Sequence, residues 1–180
     1  MRKSRFLPSC TRRIKGAVLF VLVVVPQPAG AFEVSGGVNT GWIFAGTNPH
    51  LVLGPHAGLS WRLESGLLLA VHDLLGILPP INEGGVGVYN QTSVAVGYAS
   101  KNVNFSLGPS LSIYSMPACH KTLCGQVVGV APSGHAQVNL YFAGSLGVSV
   151  RANVDWIGGR SLVLPGDAAA MVVAGPVLRW

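Results

Sequence analysis

The chain has 180 residues, of which 49% are hydrophobic and only 10% charged, with 24 glycines and a mean hydropathy of +0.49. That is too apolar for a disordered chain, and it falls short of the roughly one-quarter charged residues usual in a soluble domain. The net charge of +6 is concentrated at the start: six of the twelve bases precede residue 16, and the six that follow balance six acids. The body therefore offers no basic patch for nucleic acid.

Residues 1–15 are basic, and Ala17–Val25 is an unbroken apolar run. Pro26 and Pro28 follow, and Ala29-Gly30-Ala31 has the small-x-small form of a cleavage site. This pattern predicts a secretory signal peptide over 1–31, cleaved after Ala31, and a single domain over 32–180. The apolar run is too short to cross a bilayer core of about 30 Å. Cys10 leaves with the signal, so the exported chain keeps Cys119 and Cys124. An even count in an exported protein predicts a disulfide between them. Only His120 stands close by, which is too few ligands for a metal site, and no cofactor is expected.

From Phe32 onward the dominant period is two, the signature of strands with one apolar face. Val34, Val38, Trp42 and Phe44 oppose Glu33, Ser35, Gly37, Asn39 and Gly41. Leu53, Pro55, Ala57, Leu59 and Trp61 oppose Gly54, His56, Gly58, Ser60 and Arg62. In the third segment Leu67, Leu69 and Val71 form one face, but Asp73 falls in phase with them, and a bulge near His72 is one way to re-aim it. The alternation continues through Val94, Val96 and Tyr98, then Val103 to Ile113, then Ala136 to Phe142. It is clearest over Leu146–Trp156 and weakest over Ala168–Trp180.

Eight strands are expected, at 32–45, 51–63, 67–77, 86–99, 102–115, 127–142, 145–157 and 168–180. The connections alternate between short turns and longer stretches at 46–50, 78–85, 116–126 and 158–167. That plan predicts an all-β fold, an eight-stranded antiparallel up-and-down transmembrane β-barrel with both termini at the short-turn, periplasmic end. The aromatics fit it. Phe32, Trp61, Tyr98, Phe105, Phe142 and Trp180 fall on the apolar face near the short-turn end, and Trp42, Phe44 and Trp156 near the other. Two aromatic girdles bounding a lipid-facing band are expected of such a barrel, whereas a soluble sandwich buries its aromatics mid-strand.

Taken together, the body resembles the small eight-stranded outer-membrane barrels of Gram-negative bacteria. The most specific element is the end, Gly175-Pro176-Val177-Leu178-Arg179-Trp180, a terminal aromatic preceded by apolar residues at alternate positions. The resemblance implies recognition of the Trp180 strand by the barrel-assembly machinery, contact with outer-membrane lipid and lipopolysaccharide, and a monomer. Trp stands where Phe is commoner, and Pro176 where the pattern usually has an ordinary strand residue.

Three groups of polar residues invite a functional reading. Glu33 and Arg179 sit one residue from the ends of strands that must pair to close the barrel, and Arg62 lies at a similar level, so the three are expected as a lumen charge cluster. Arg151 and Asp155, four apart on one inward face, are expected in a second lumen network. His56 and His72 fall within about two residues of facing one another, with Asp73 near them, as a polar cluster of the lumen. Ser133-Gly134-His135 is the nearest approach to the serine and histidine of a lipid A-modifying barrel enzyme, in reverse order, and no catalytic constellation is expected from it. The function predicted is therefore a structural or surface-interaction role. Small polar side chains would fill the lumen, and the Cys119–Cys124 loop would be the stiffest external feature. A narrow channel or carrier for small molecules, and a lipid A-modifying enzyme, are the alternatives.

Overall fold

Along the described strands alternate residues face opposite sides, and the chain uses this to close a sheet on itself. The computed structural model describes residues 30–45, 48–80, 85–120, 123–156 and 168–180; at 45, 48, 116–120, 123–127 and 143 only the backbone is described. Of the expected signal segment 1–31, residues 1–29 lie outside the described residues, and Gly30 and Ala31 begin the first strand. The strands are β1 (Gly30–Ala45), β2 (Asn48–Leu63), β3 (Leu67–Leu78), β4 (Gly87–Ala99), β5 (Val103–His120), β6 (Leu123–Ala143), β7 (Leu146–Trp156) and β8 (Ala168–Arg179). Each pairs antiparallel with the next, and β1 pairs with β8 to close the barrel.

The register fixes its shape. Direct partners run from Phe32 through Trp61, Leu69, Val96, Leu107, Ala136, Ala152 and Val172, and return to β1 at Trp42, ten residues further along. A stagger of that size on eight strands tilts them by about 40° and leaves an interior wide enough only for side chains.

The short turns use glycine where the backbone demands it. Gly66 and Gly144 have φ of 86° and 62°, a left-handed conformation that side chains disfavour. Inward glycines serve as niches: a Cβ at Gly58 would come within 2.7 Å of His72 Nδ1, and one at Gly37 within 2.7 Å of His56 Cε1. Histidine rings from neighbouring strands occupy these two niches.

Three strand ends differ most from the sequence expectation. β2 begins at Asn48, and β5 and β6 run to His120 and from Leu123, so the expected 116–126 loop is largely strand. β4 pairs with β5 only as far as Ser115. Beyond it, the five pairs from Met116↔Val127 to His120↔Leu123 form a two-stranded arm, about 16 Å long at 3.3 Å per residue. Pairing across the arm satisfies the amides and carbonyls that face the partner strand, and those that face away can be met by water where the arm passes the barrel rim.

Three ladders are interrupted, each opposite a proline. The β2–β3, β4–β5 and β1–β8 ladders skip the positions of Gly54-Pro55, Gly108-Pro109 and Gly175-Pro176 while keeping the same register on either side. Proline has no N–H to give a ladder. At the β1–β8 closure this leaves two paired stretches, Ser35–Gly37 with Val177–Arg179 and Thr40–Ala45 with Ala169–Ala174.

Candidate functional site

The outer wall is predominantly apolar on every strand. Phe32, Trp42, Phe44, Tyr98, Phe105, Phe142, Trp156 and Trp180 are all exposed on it, with Trp61 partly so, and Leu, Val and Ile side chains lie between. The aromatics form two belts. Phe32 and Trp42 lie ten residues apart on β1, which at this tilt separates their levels by about 25 Å, the height of a barrel's lipid-facing band.

The lumen is layered. Toward the long-connection end it is filled by Ile43, Val52, Leu74, Leu78, Tyr89, Tyr114 and Met171, each buried to 6% exposure or less. The expectation of a lumen filled by small polar side chains does not hold at this end, although Ser93, Ser106, Ser110, Asn139 and Ser149 are buried elsewhere in the lumen. Large apolar residues occupy this end because a closed interior of this width has no water to solvate charges and is better filled by packed hydrocarbon.

Below that plug lies one connected polar network. Arg151, fully buried, donates from Nε and Nη2 to Gln137 Oε1 at 3.0 and 2.7 Å, and its Nη1 reaches Gln91 Oε1 at 3.5 Å. Gln91 Nε2 donates to Ser110 Oγ at 3.0 Å, and Ser110 Oγ to Asn153 Oδ1 at 3.3 Å. Asn153 Nδ2 in turn donates to Asp155. The Asp155 carboxylate also accepts from Tyr89 at 3.0 Å, Ser112 at 2.7 Å and Ser133 at 2.5 Å. The two charges share a face of β7 but are joined only through neutral groups. Hydroxyls and amides stand in for a counter-ion, which a buried charge requires. Gln91, Gln137 and Asn153 carried no sequence signal beyond facing inward.

The histidines gather at the middle of the lumen, without the acid expected beside them. His72 pairs with Gly58 and His56 with Leu74. The His72 ring meets not His56 but His135, edge to face at 5.8 Å. Asp73 is absent from this cluster, which corrects its assignment. β3 has no bulge: its register with β4 is continuous from Leu67↔Tyr98 to Leu78↔Gly87, so Asp73 keeps the outward phase of Leu69 and Val71. There Thr92 Oγ1 donates to Asp73 Oδ1 at 2.8 Å, and Asn90 Nδ2 approaches both carboxylate oxygens at 3.3 and 3.4 Å. Among the described residues no group of three or more metal-ligating side chains could hold an ion.

Ser133 and His135 both face inward and are engaged separately. Ser133 binds Asp155, and His135 Nδ1 lies 3.2 Å from the Gly108 carbonyl oxygen.

At the short-turn mouth Glu33, Arg62 and Arg179 come together around a depression of about 520 Å³, with Lys101, Phe32 and Trp180 on its rim. Arg179 Nη1 is 3.9 Å from Glu33 Oε1, and Nη2 donates to the carbonyls of Lys101 and Gly144 at 3.2 and 2.8 Å. Its guanidinium also lies 4.0 Å from the centre of the Tyr141 ring. Arg62 donates to the Ser100 carbonyl at 3.2 Å. Arg179 and Arg62 thus tie the closing strand and β2 to the neighbouring turns. Cys119 and Cys124 are direct backbone partners near the tip of the β5–β6 arm, but their side chains lie outside the described residues.

No protein-family model matches the chain, and no curated protein sequence matches it. Solved structures do match in shape. The chain is similar to the N-terminal β-barrel domain of Pseudomonas aeruginosa OprF, with a TM-score of 0.58 at 11% identity, covering 84% of this chain and 99% of that one. It is also similar to Neisserial surface protein A, NspA, with a TM-score of 0.55 at 12% identity, covering 84% and 98%. Ail, the attachment invasion locus protein of Yersinia pestis, gives a TM-score of 0.52 at 10% identity, covering 84% and 99%. The chain therefore has the fold of a closed, eight-stranded antiparallel barrel of the outer-membrane kind.

Proposed function

We propose that this protein is an outer-membrane barrel with a structural or surface-interaction role rather than a catalytic one. It is exported by its signal segment, and the short turns and both termini are periplasmic. One observation carries the reading: a predominantly apolar wall bounded by two aromatic belts encloses a lumen plugged by buried side chains. Such a wall is stable against hydrocarbon and unstable against water. The plug argues against a channel, since fully buried Ile43, Val52 and Leu74 lie where a solute would pass. Trp180 and the β8 strand are the segment offered to the assembly machinery, and membrane lipid with lipopolysaccharide surrounds the wall. The β5–β6 arm, bridged by Cys119–Cys124, is the surface feature a partner would meet. Rigid, protruding elements on a stable scaffold commonly carry binding.

Fractionation of cells expressing the full chain tests this. The protein is expected in the outer membrane, with heat-modifiable gel mobility and no steady single-channel steps in planar bilayers. Recovery as a soluble periplasmic protein would overturn the membrane reading. Regular conductance steps would replace the plugged barrel with a channel.

A further inference from the structure

The short-turn mouth holds more positive charge than it pairs. Arg62 on β2 and Arg179 on β8 flank β1 and converge on the β4–β5 turn, where they donate to consecutive carbonyls, Ser100 and Lys101, each at 3.2 Å. Arg62, Lys101 and Arg179 line one depression of about 520 Å³, and Glu33 is the one acidic side chain on it. Glu33 stands 3.9 Å from Arg179, at the limit of an ion pair, and among the described residues Arg62 and Lys101 have no carboxylate partner. The Phe32 ammonium left by the expected cleavage and the Trp180 carboxylate add one charge of each sign, so the excess stands. A guanidinium has five N–H donors, and among the described residues the Ser100 carbonyl is the only hydrogen-bond partner of Arg62.

The rim of the same depression is apolar. Phe32 and Trp180 line it and face outward, 65% and 69% exposed. Trp180 pairs with Val34 through its backbone, and its ring lies beside Gly36, 3.6 Å from where a Cβ would stand. Both rings thus sit on the β1–β8 wall, directly outside the cationic mouth.

We propose that this mouth binds the phosphodiester headgroup of an anionic phospholipid, drawn from the leaflet level with the short turns, with the lipid's apolar part against Phe32 and Trp180. Phosphate oxygens accept several N–H donors at once and suit a pair of guanidiniums backed by an ammonium. A free phosphate would leave the aromatic rim unused, and an acidic protein segment needs no rim in the lipid belt. A zwitterionic headgroup brings its own ammonium up to three cations, which offsets much of the attraction. The inference rests on the membrane reading, and the experiment reports the two separately.

The test uses the full chain carrying Trp42→Phe, Trp61→Phe and Trp156→Phe, which leaves Trp180 as its one tryptophan. It is reconstituted in phosphatidylcholine vesicles with a minor share of phosphatidylglycerol. Bromine on the acyl chains of one lipid or the other quenches Trp180 fluorescence and reports which lipid lies beside it. Heat-modifiable mobility of the same sample reports insertion. Phosphatidylglycerol is expected to be preferred about tenfold at Trp180, and not at Trp156 in the matching single-tryptophan chain. Lys101→Gln keeps the carbonyl that Arg179 uses, and it is expected to lower the preference about threefold. Arg62→Gln/Lys101→Gln should erase it. Inserted protein with no preference at Trp180 overturns the proposal, as does an equal preference at Trp156 or one indifferent to both substitutions. Displacement of the lipid by an equal concentration of soluble glycerol phosphate reassigns the mouth to free phosphate and overturns it too. So does saturable binding of a soluble oligoglutamate in place of the lipid. If the unaltered chain does not insert, the membrane reading fails and the inference with it. If only the single-tryptophan chain fails to insert, native mass spectrometry of the unaltered chain from mixed micelles of the two lipids decides. Retained phosphatidylglycerol that is lost with Lys101→Gln supports the site, and equal retention of both lipids overturns it.

Discussion

Arg151 spends two of its donors on a single oxygen: its Nε and Nη2 lie 3.0 and 2.7 Å from Gln137 Oε1. The guanidinium is fully buried, and a neutral amide is its main partner. Gln137→Leu would leave that charge largely unanswered and is expected to cost about 3 kcal/mol of barrel stability. Adding Arg151→Met removes the orphaned charge, so the double variant should recover at least half the loss. Urea unfolding in detergent micelles or vesicles measures both. A double variant worse than the sum of the singles would mean that Arg151 is held by something other than Gln137.

Charge on the outer wall should cost according to depth. Val150 is exposed near mid-height, and Val150→Arg is expected to lose about 2–4 kcal/mol. Phe32 is in the short-turn belt, and Phe32→Arg should lose about 1 kcal/mol or less in lipid contact. Equal penalties in vesicle unfolding would place the lipid band elsewhere on the wall.

Glycines at two kinds of position should respond oppositely. A Cβ at Gly97 would fall 1.8 Å from the Phe105 carbonyl oxygen, on the facing strand, so β4 and β5 must part to admit it. Gly97→Ala is expected to cost about 2 kcal/mol and to slow folding into vesicles. A Cβ at Gly134 meets nothing within 4 Å. Gly134→Ala should be neutral or stabilise by about 0.5 kcal/mol, because it restricts the unfolded chain. Tryptophan fluorescence during refolding reads both.

Cys119 and Cys124 are opposite one another in the β5–β6 ladder. Direct antiparallel partners have Cα atoms about 4.5–5.5 Å apart, within the span of a disulfide. Exported protein should therefore contain no free thiol. Because so short a loop restricts the unfolded chain only modestly, the Cys119→Ser/Cys124→Ser variant should lose at most about 2–3 kcal/mol and still insert. Its arm should be cut faster by added protease. Two titratable thiols in untreated protein would exclude the bridge.

The barrel was legible because lipid imposes a period-two rule on every strand at once. Leu146, Val148, Val150, Ala152, Val154 and Trp156 could alternate with Gly147 to Asp155 only if one side met hydrocarbon and the other a packed interior. The mouth cluster of Glu33, Arg62 and Arg179 was legible for a related reason: strand closure fixes which ends meet. The mid-lumen network was not, because Gln91 and Tyr89 on β4 approach Arg151 and Asp155 on β7 across the interior, and single-strand patterns carry no information about what faces what across a lumen. Asp73 misled for the opposite reason. Its phase on β3 pointed outward, and the bulge offered to bring it in was motivated by its charge rather than by any Gly or irregular spacing in the segment. The ends of β5 and β6 were misjudged because Pro117 and Gly125 look like loop residues, yet an arm clear of the third strand leaves room for both.

The interruption opposite Pro176 bears on how the circle is kept shut. β1 and β8 are the only adjacent strands with no turn between them, so nothing but their own pairing and side-chain contacts holds that edge together. That pairing comes as two short zips, one beside Trp180 and one from Thr40 to Ala45. Either can open in a fluctuation while the other keeps the strands in register. Splitting the edge open therefore requires two simultaneous local failures, and a single failure re-closes without loss of alignment.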